Sequence, residues 1–410
     1  MHSVDALTLL ITQVRAGSLP LRMPPVMRLG NLGAASPSVA ASSLPRFIDI
    51  GLNLLDPMFQ GEYRGKALHP SDMHAILARA AEAGVERCLV TAGSLEEAQA
   101  AIQLVRLLRP TSPVTLHSTV GVHPTRSLNF LPEAARAELE VVMAEVSAAD
   151  EAADAEGAVA GAAAEAVAAA AALVGAQERL LATTEVVSAA QSHVSELRRI
   201  IADGASDGTV VAVGECGLDY ARLFFSPAAV QRFAFDLQLQ LAAEMELPLF
   251  LHSRDAASDM ESACRSQPAA LAAGAVVHSF DGDAGALASL LSLGVDIGIN
   301  GCSLRTAESL EVAARVPLER LHLETDAPWC GIKRTHAGAA FVQPPRWAEV
   351  KKEKWQPGCC VKDRNEPASI EQVLQVLTAA RRGTRADEAA VAAAAYSNSV
   401  RLFRLPAARL

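Results

Sequence analysis

Residues Val211 to Tyr220 read VAVGECGLDY. Small and β-branched residues lead straight into Gly-Glu-Cys-Gly, the pattern of a buried strand that stops at a turn. Glu215 takes the last strand position, flanked by Gly214 and Gly217. A carboxylate at the end of an apolar strand is costly to bury unless something pairs with it. The natural partner is a cation, and the glycines leave room for one. Three later apolar runs end the same way: PLFLHS at His252, GAVVHSF at His278 and LHLETDAPW at Asp326.

These runs belong to a regular alternation. Strands are expected at 47–53, 85–92, 114–124, 210–215, 247–252, 274–280, 295–301 and 321–326. Stretches of helical spacing separate them, such as HPSDMHAILARAAEAG with Ser71 or Asp72 as cap, and SLEEAQAAIQLVRLL with a capping box from Ser94 to Glu97. Alternation implies parallel pairing through right-handed crossovers, and eight such units close into a barrel. The fold class is therefore α/β, a (β/α)8 TIM barrel. A doubly wound open sheet is the alternative, but no GxGxxG opens the first βα turn.

In a parallel barrel the strand C-termini share one face, where active sites lie. Glu215, His252, His278 and Asp326 then converge despite their separation in sequence. Each has an ordinary structural reading alone: a hydrogen-bonded core histidine, a carboxylate paired with arginine, a turn-forming aspartate. Together they form a ligand set for Zn²⁺, Mn²⁺, Fe or Mg²⁺. Arg254, two residues after His252, is placed to clamp a phosphate, and His123, before Pro124, to reach the site as an acid or phosphate contact. His117 reads as structural. Arg305, Lys333 and Lys362 offer a basic rim, and Trp329 a surface on which a base can stack. Cys216, Cys302 and Cys330 read as buried fillers rather than ligands.

The net charge of −10 would argue against nucleic acid, but residues 133–207 hold 14 acids against 4 Arg and so carry all of it. Residues 332–364 hold 8 Lys/Arg against 3 acids. Seven cysteines without CxxC spacing form no disulfide framework and point to a reducing, intracellular compartment, nucleus or cytoplasm. No apolar run approaches the ~20 residues of a membrane span. Residues 1–46 are Arg- and Ser-rich and nearly free of acids, which reads equally as an organelle transit peptide (chloroplast or mitochondrion) or as an unstructured extension. Residues 148–205 interrupt the alternation; half of 151–180 is alanine, so this Ala-rich insertion is expected to be disordered or a loosely packed helical hairpin. The barrel is expected over 47–147 and 206–405.

FIDIGLN, GVHPT, VGECGLDY, LPLFLHSR, VVHSFDG, IGINGCS, LETDAPW and RNEP resemble the TatD family of metal-dependent deoxyribonucleases, its eukaryotic branch in particular, from about Phe47 to Phe403. The resemblance implies a TIM barrel of the amidohydrolase-like metal-dependent hydrolase type and hydrolysis of DNA phosphodiesters, often as a 3′→5′ exonuclease. It places metal ligands at Glu215, His252, His278 and Asp326, and phosphate contacts at His123 and Arg254. Where many relatives carry His-x-His at the end of strand one, this chain has Gly51 and Asn53. Only the Asn53 carbonyl oxygen could bind a hard cation there, weakly. That favours one firm ion plus a second that is water-rich or arrives with substrate, and Mg²⁺ first, then Mn²⁺, over Zn²⁺. The expected enzyme is a monomeric DNase with DNA as its partner and no membrane or obligate protein partner. Asp326 serves as general base, and the basic loop after strand eight holds the flanking strand. A hydrolase of small esters, lactones or amides is the first rival, and a barrel that only binds a partner the second.

Overall fold

The computed structural model describes residues 45–154, 173–175, 177–382 and 387–406. Most of the N-terminal stretch expected to be a transit peptide or extension, and the centre of the Ala-rich insertion, lie outside them.

The apolar runs form β1 (Phe47–Leu52), β2 (Val85–Val90), β3 (Thr115–Val120), β4 (Val210–Asp219), β5 (Leu249–Arg254), β6 (Ala275–Val277), β7 (Asp296–Ile299) and β8 (Leu321–Leu323). All pair in parallel, in chain order, in one sheet. The ring closes where the Asp326 amide donates to Gly51 O at 2.8 Å and the Asn53 amide to Ala327 O at 2.9 Å. The helices are α1 (Met73–Glu82), α2 (Leu95–Leu108), α3 (Glu133–Asp154), α4 (Thr184–Ala205), α5 (Ala228–Met245), α6 (Ala257–Ser266), α7 (Ala284–Ser292), α8 (Ala307–Ala314), α9 (Ile370–Ala380) and α10 (Glu388–Leu402). Their apolar faces and the outward sides of the strands make one large core.

Four local readings need correction. β4 does not stop at Glu215 but runs on to Asp219. Val213 faces Leu249 and Cys216 faces Leu251, so three steps of β4 oppose two of β5, a bulge that re-aims Glu215. Glycine is needed there: Gly214 and Gly217 have φ of 146° and 140°, and a Cβ on either would collide with the carbonyl oxygen of Phe250 or His252. β3 ends at Val120, and His123 instead caps the 3-10 turn Pro124–Phe130. β8 ends at Leu323, which leaves Asp326 in the following loop with φ 54°. Asp72 does not cap α1 with its side chain. Its oxygens accept from Arg364 at 2.6 and 2.8 Å, and Arg364 and Arg79 both donate to Glu366. This buried cluster ties the long loop after β8 to the barrel, and removing one partner of such a pair costs about 3–5 kcal/mol.

The expected loose packing of 148–205 fails for its last part. α4 buries Ala190, Val194, Leu197, Ile200 and Ile201 in the main core, at three- and four-residue spacing. Ser94 caps α2 through the Glu97 amide at 3.2 Å, while the Glu97 carboxylate accepts from the Gly93 amide at 3.0 Å. No described helix is long and apolar enough to cross a membrane.

Candidate functional site

The C-terminal ends of the strands surround a cavity of about 1050 Å³. Its floor is centred on Glu215. Glu215 Oε1 lies 2.8 Å from His252 Nδ1, 2.8 Å from His278 Nε2 and 3.4 Å from His123 Nε2. Three strands and the turn after β3 thus deliver one carboxylate and three imidazoles to one point. His123, Glu215 and His252 offer ligand atoms that all lie within 4.8 Å of one another. His123, read from the sequence as a phosphate contact, therefore sits among the candidate metal ligands.

Two further carboxylates support this cluster, and the sequence reading missed both. The His252 nitrogen turned away from Glu215, Nε2, lies 3.3 Å from Asp219 Oδ2. The corresponding nitrogen of His278, Nδ1, lies 3.4 Å from Glu324 Oε2. Asp219 and Glu324 are fully buried. Each imidazole is thus held between Glu215 on the cavity side and a second carboxylate behind it. A carboxylate behind a ligating imidazole fixes its tautomer and raises its basicity. Both oxygens of Asp219, Glu324 Oε2, His252 Nε2 and His278 Nδ1 are buried without a hydrogen bond. A carboxylate oxygen and three imidazole nitrogens meeting at Glu215 are a donor set that fits a divalent cation.

The charges follow from this crowding. Burial pushes the Glu215 carboxyl up, but the surrounding imidazoles outweigh it and hold the group well below its usual range. Burial works against a charged His278, yet Glu215 and Glu324 raise it well above the ordinary value. His123 is driven down to about 3 by burial, so it is neutral at pH 7. Its Nδ1 lies 2.7 Å from Thr125 Oγ1 and 3.2 Å from the Thr125 amide. This orients the ring with Nε2 toward the cavity.

Asp326 enters from the other side. Asn53 Nδ2 donates to its Oδ1 at 2.7 Å and Cys330 Sγ to its Oδ2 at 3.0 Å. Burial pushes its carboxyl up to about 6. The Asn53 carbonyl oxygen, expected to bind a cation weakly, instead accepts from Thr91 Oγ1 at 2.9 Å. Asn53 is thus placed as a donor to Asp326. Gly51 has its own reason: a Cβ there would run into Glu324 Oε2, so β1 has no room for an imidazole while Glu324 keeps its place. Below, Asp49 ties β1 to the strand-eight loop by accepting from Thr325 Oγ1 at 2.6 Å, and burial pushes its carboxyl up to about 8.

Arg126, Arg222, Arg254, Arg305 and Lys333 line the cavity, as does Trp329, which is 55% exposed. The basic rim therefore comes from four connecting segments and the end of β5. It is not the 332–364 segment expected from charge counting: Lys333 lines the cavity, but Arg364 is buried in the ion-pair cluster and Arg346 pairs with Glu371. His117 is buried and bonded to Gly208 O at 2.8 Å, as expected of a structural residue. Cys216 is a core residue, whereas Cys302 and Cys330 line the cavity.

Comparison with known proteins agrees with the barrel fold. Residues 48–404 match the family model described as TatD related DNase. The chain is 34% identical over 335 residues to a deoxyribonuclease Tat-D of Schizosaccharomyces pombe, covering 82% of this chain and 89% of that protein. It is 32% identical over 284 residues to a 3′-5′ ssDNA/RNA exonuclease TatD of a Pantoea strain, covering 68% of this chain and 79% of the relative. The crystal structure of an uncharacterized amidohydrolase from Saccharomyces cerevisiae superposes with a TM-score of 0.70 at 32% identity, covering 87% of this chain and 99% of the other.

Proposed function

Because this chain belongs to the TatD-related DNase family, we infer that it hydrolyses DNA phosphodiester bonds with a divalent cation, working from a 3′ end. One observation carries this: a single carboxylate oxygen, Glu215 Oε1, is shared by two imidazoles at 2.8 Å beneath a basic rim. Glu215, His252, His278 and Asp326 would hold the cation, with His123 as a further ligand or as a donor to the phosphate. When bound, the cation polarises the phosphoryl oxygen and acidifies a water. Mg²⁺ is the favoured ion, with Mn²⁺ and Zn²⁺ as alternatives, because Asn53 and Gly51 add no nitrogen ligand on the β1 side.

The chain's own groups supply the rest. Asp219 and Glu324 hold the two imidazoles with one nitrogen facing the cavity. Asp326, raised to about 6 by burial, is ionised at neutral pH yet basic enough to take the proton of the attacking water. Neutral His123 donates Nε2–H to a phosphate oxygen in the tautomer whose Nδ1 accepts from the Thr125 amide. Arg254, Arg305 and Lys333 neutralise the strand, and exposed Trp329 gives a terminal base a face to stack on.

End-labelled single- and double-stranded oligonucleotides incubated with purified protein in Mg²⁺, Mn²⁺, Zn²⁺ or EDTA test this reading. We expect ladders shortening from the 3′ end with Mg²⁺ and intact substrate with EDTA. Hydrolysis undiminished by EDTA would reject it. Rates should fall steeply with salt, because a groove that tracks single-stranded phosphates loses ~0.7 in log–log slope per contact.

A further inference from the structure

The nuclease reading does not use the pair of cysteines beside Asp326. Cys302 sits in the turn Gly301–Leu304 after β7, and Cys330 in the loop after β8. Their Sγ atoms are 2.7 Å apart. Arg305 Nη2 donates to Cys302 Sγ at 2.9 Å, and Cys330 Sγ donates to Asp326 Oδ2 at 3.0 Å. Both residues line the cavity, so a small solute reaches them. The two loops are already pressed together: a Cβ on Gly301 would collide with Cys330 O. Cys88, Cys216 and Cys264 are instead buried in the core.

We propose that Cys302 and Cys330 are a redox-modification site, closed to a reversible disulfide by hydrogen peroxide, and that closing it lowers the activity of the neighbouring centre. The bond is argued from sulfur placement alone; its effect on activity rests on the nuclease reading. The Cys302 sulfur, once deprotonated beside the Arg305 guanidinium, attacks one peroxide oxygen. The O–O bond breaks and the departing hydroxide leaves as water after taking a proton from solvent, so Cys302 becomes a sulfenic acid. The Cys330 sulfur then attacks the Cys302 sulfur. The S–O bond breaks, and its oxygen leaves as water with the Cys330 proton. Two thiols are oxidised to one disulfide and one peroxide is reduced to two waters. The Arg305 guanidinium against its sulfur suits Cys302 to attack first.

Closing the bond removes the Cys330 S–H from Asp326 Oδ2 and leaves Arg305 facing a neutral sulfur. Asp326 then keeps Asn53 as its side-chain donor. Losing one of the two donors that orient Asp326 costs up to about tenfold, so we expect a drop of that size in hydrolysis.

The test treats the purified full-length protein in Mg²⁺ with stoichiometric hydrogen peroxide and then with dithiothreitol. We expect the intact mass to fall by two hydrogens and a proteolytic peptide to join Cys302 to Cys330. Oligonucleotide hydrolysis should fall by up to about tenfold and recover with dithiothreitol. Hydrolysis by Cys302→Ser and Cys330→Ser should not respond to peroxide, whatever their starting rates. Sulfinic acids without a link, or a link to another cysteine, would overturn the site. A Cys302–Cys330 link with unchanged hydrolysis would overturn the regulatory effect. A reduced protein with no hydrolysis would count against the nuclease reading instead, since the mass measurement is scored without activity.

Discussion

The two sides of the cavity floor are built from different chemistry. On the β4–β6 side, Glu215 meets His123, His252 and His278, and Asp219 and Glu324 stand behind two of the imidazoles. On the β8–β1 side, Asp326 is held by an amide and a thiol, Asn53 and Cys330. Nitrogen ligands and backing carboxylates give tight, directional metal binding. A carboxylate held by neutral donors and raised to about 6 is better suited to moving a proton. The first side reads as the place that fixes a cation, the second as the place where water is activated.

Substitutions on each side should separate these roles. Glu215→Gln removes the shared ligand of the imidazoles and should give the largest loss, exceeding the ~10²–10⁴-fold fall in kcat expected for Asp326→Asn as loss of a general base. Single-turnover assays with and without saturating Mn²⁺ would separate them: added metal should not rescue Asp326→Asn. Below its pKa Asp326 carries the proton it must accept. Hydrolysis should therefore rise with pH through about 6 and level above it; a bound cation can only move that limb lower. A midpoint above neutrality that survives in Asp326→Asn would remove Asp326 from the role.

Asp219→Asn and Glu324→Gln should raise the metal concentration needed for half-maximal rate by ~10–100-fold while leaving the rate at saturation nearly intact. Equal loss at all metal concentrations would mean that these carboxylates only shape the barrel. Asn53→Ala should have the smallest effect, up to about tenfold in kcat, the worth of one hydrogen bond of ~0.5–1.5 kcal/mol. Its metal dependence should be unchanged, because Asn53 touches Asp326 and Thr91 and none of the imidazoles.

Much of this was legible in the chain. Glu215, His252, His278 and Asp326 each close an apolar run, and the alternation of eight such runs with helical stretches specifies the barrel. What the sequence hid follows from local geometry. Asp219 lies past two glycines that read as the end of a strand; in the fold they let β4 pass close to β5 and continue. Glu324 is two residues before Asp326, and the one prominent acid masked the other. The spacing of Ala190, Val194, Leu197 and Ile201 was visible, but alanine-rich neighbours obscured the core face of α4. Charge counting misplaced the basic rim, since a local excess of lysine and arginine says nothing about which of them turn inward to pair with buried acids, as Arg364 does.

The central claim is that a cation binds at Glu215 through imidazole nitrogens. Pulsed EPR of the Mn²⁺-loaded protein, with ¹⁵N-labelled histidine, tests it most directly. The account predicts ¹⁵N couplings from at least two histidines, reduced by one in His252→Gln and again in His278→Gln. A Mn²⁺ spectrum with full hydrolysis but no histidine coupling would contradict it.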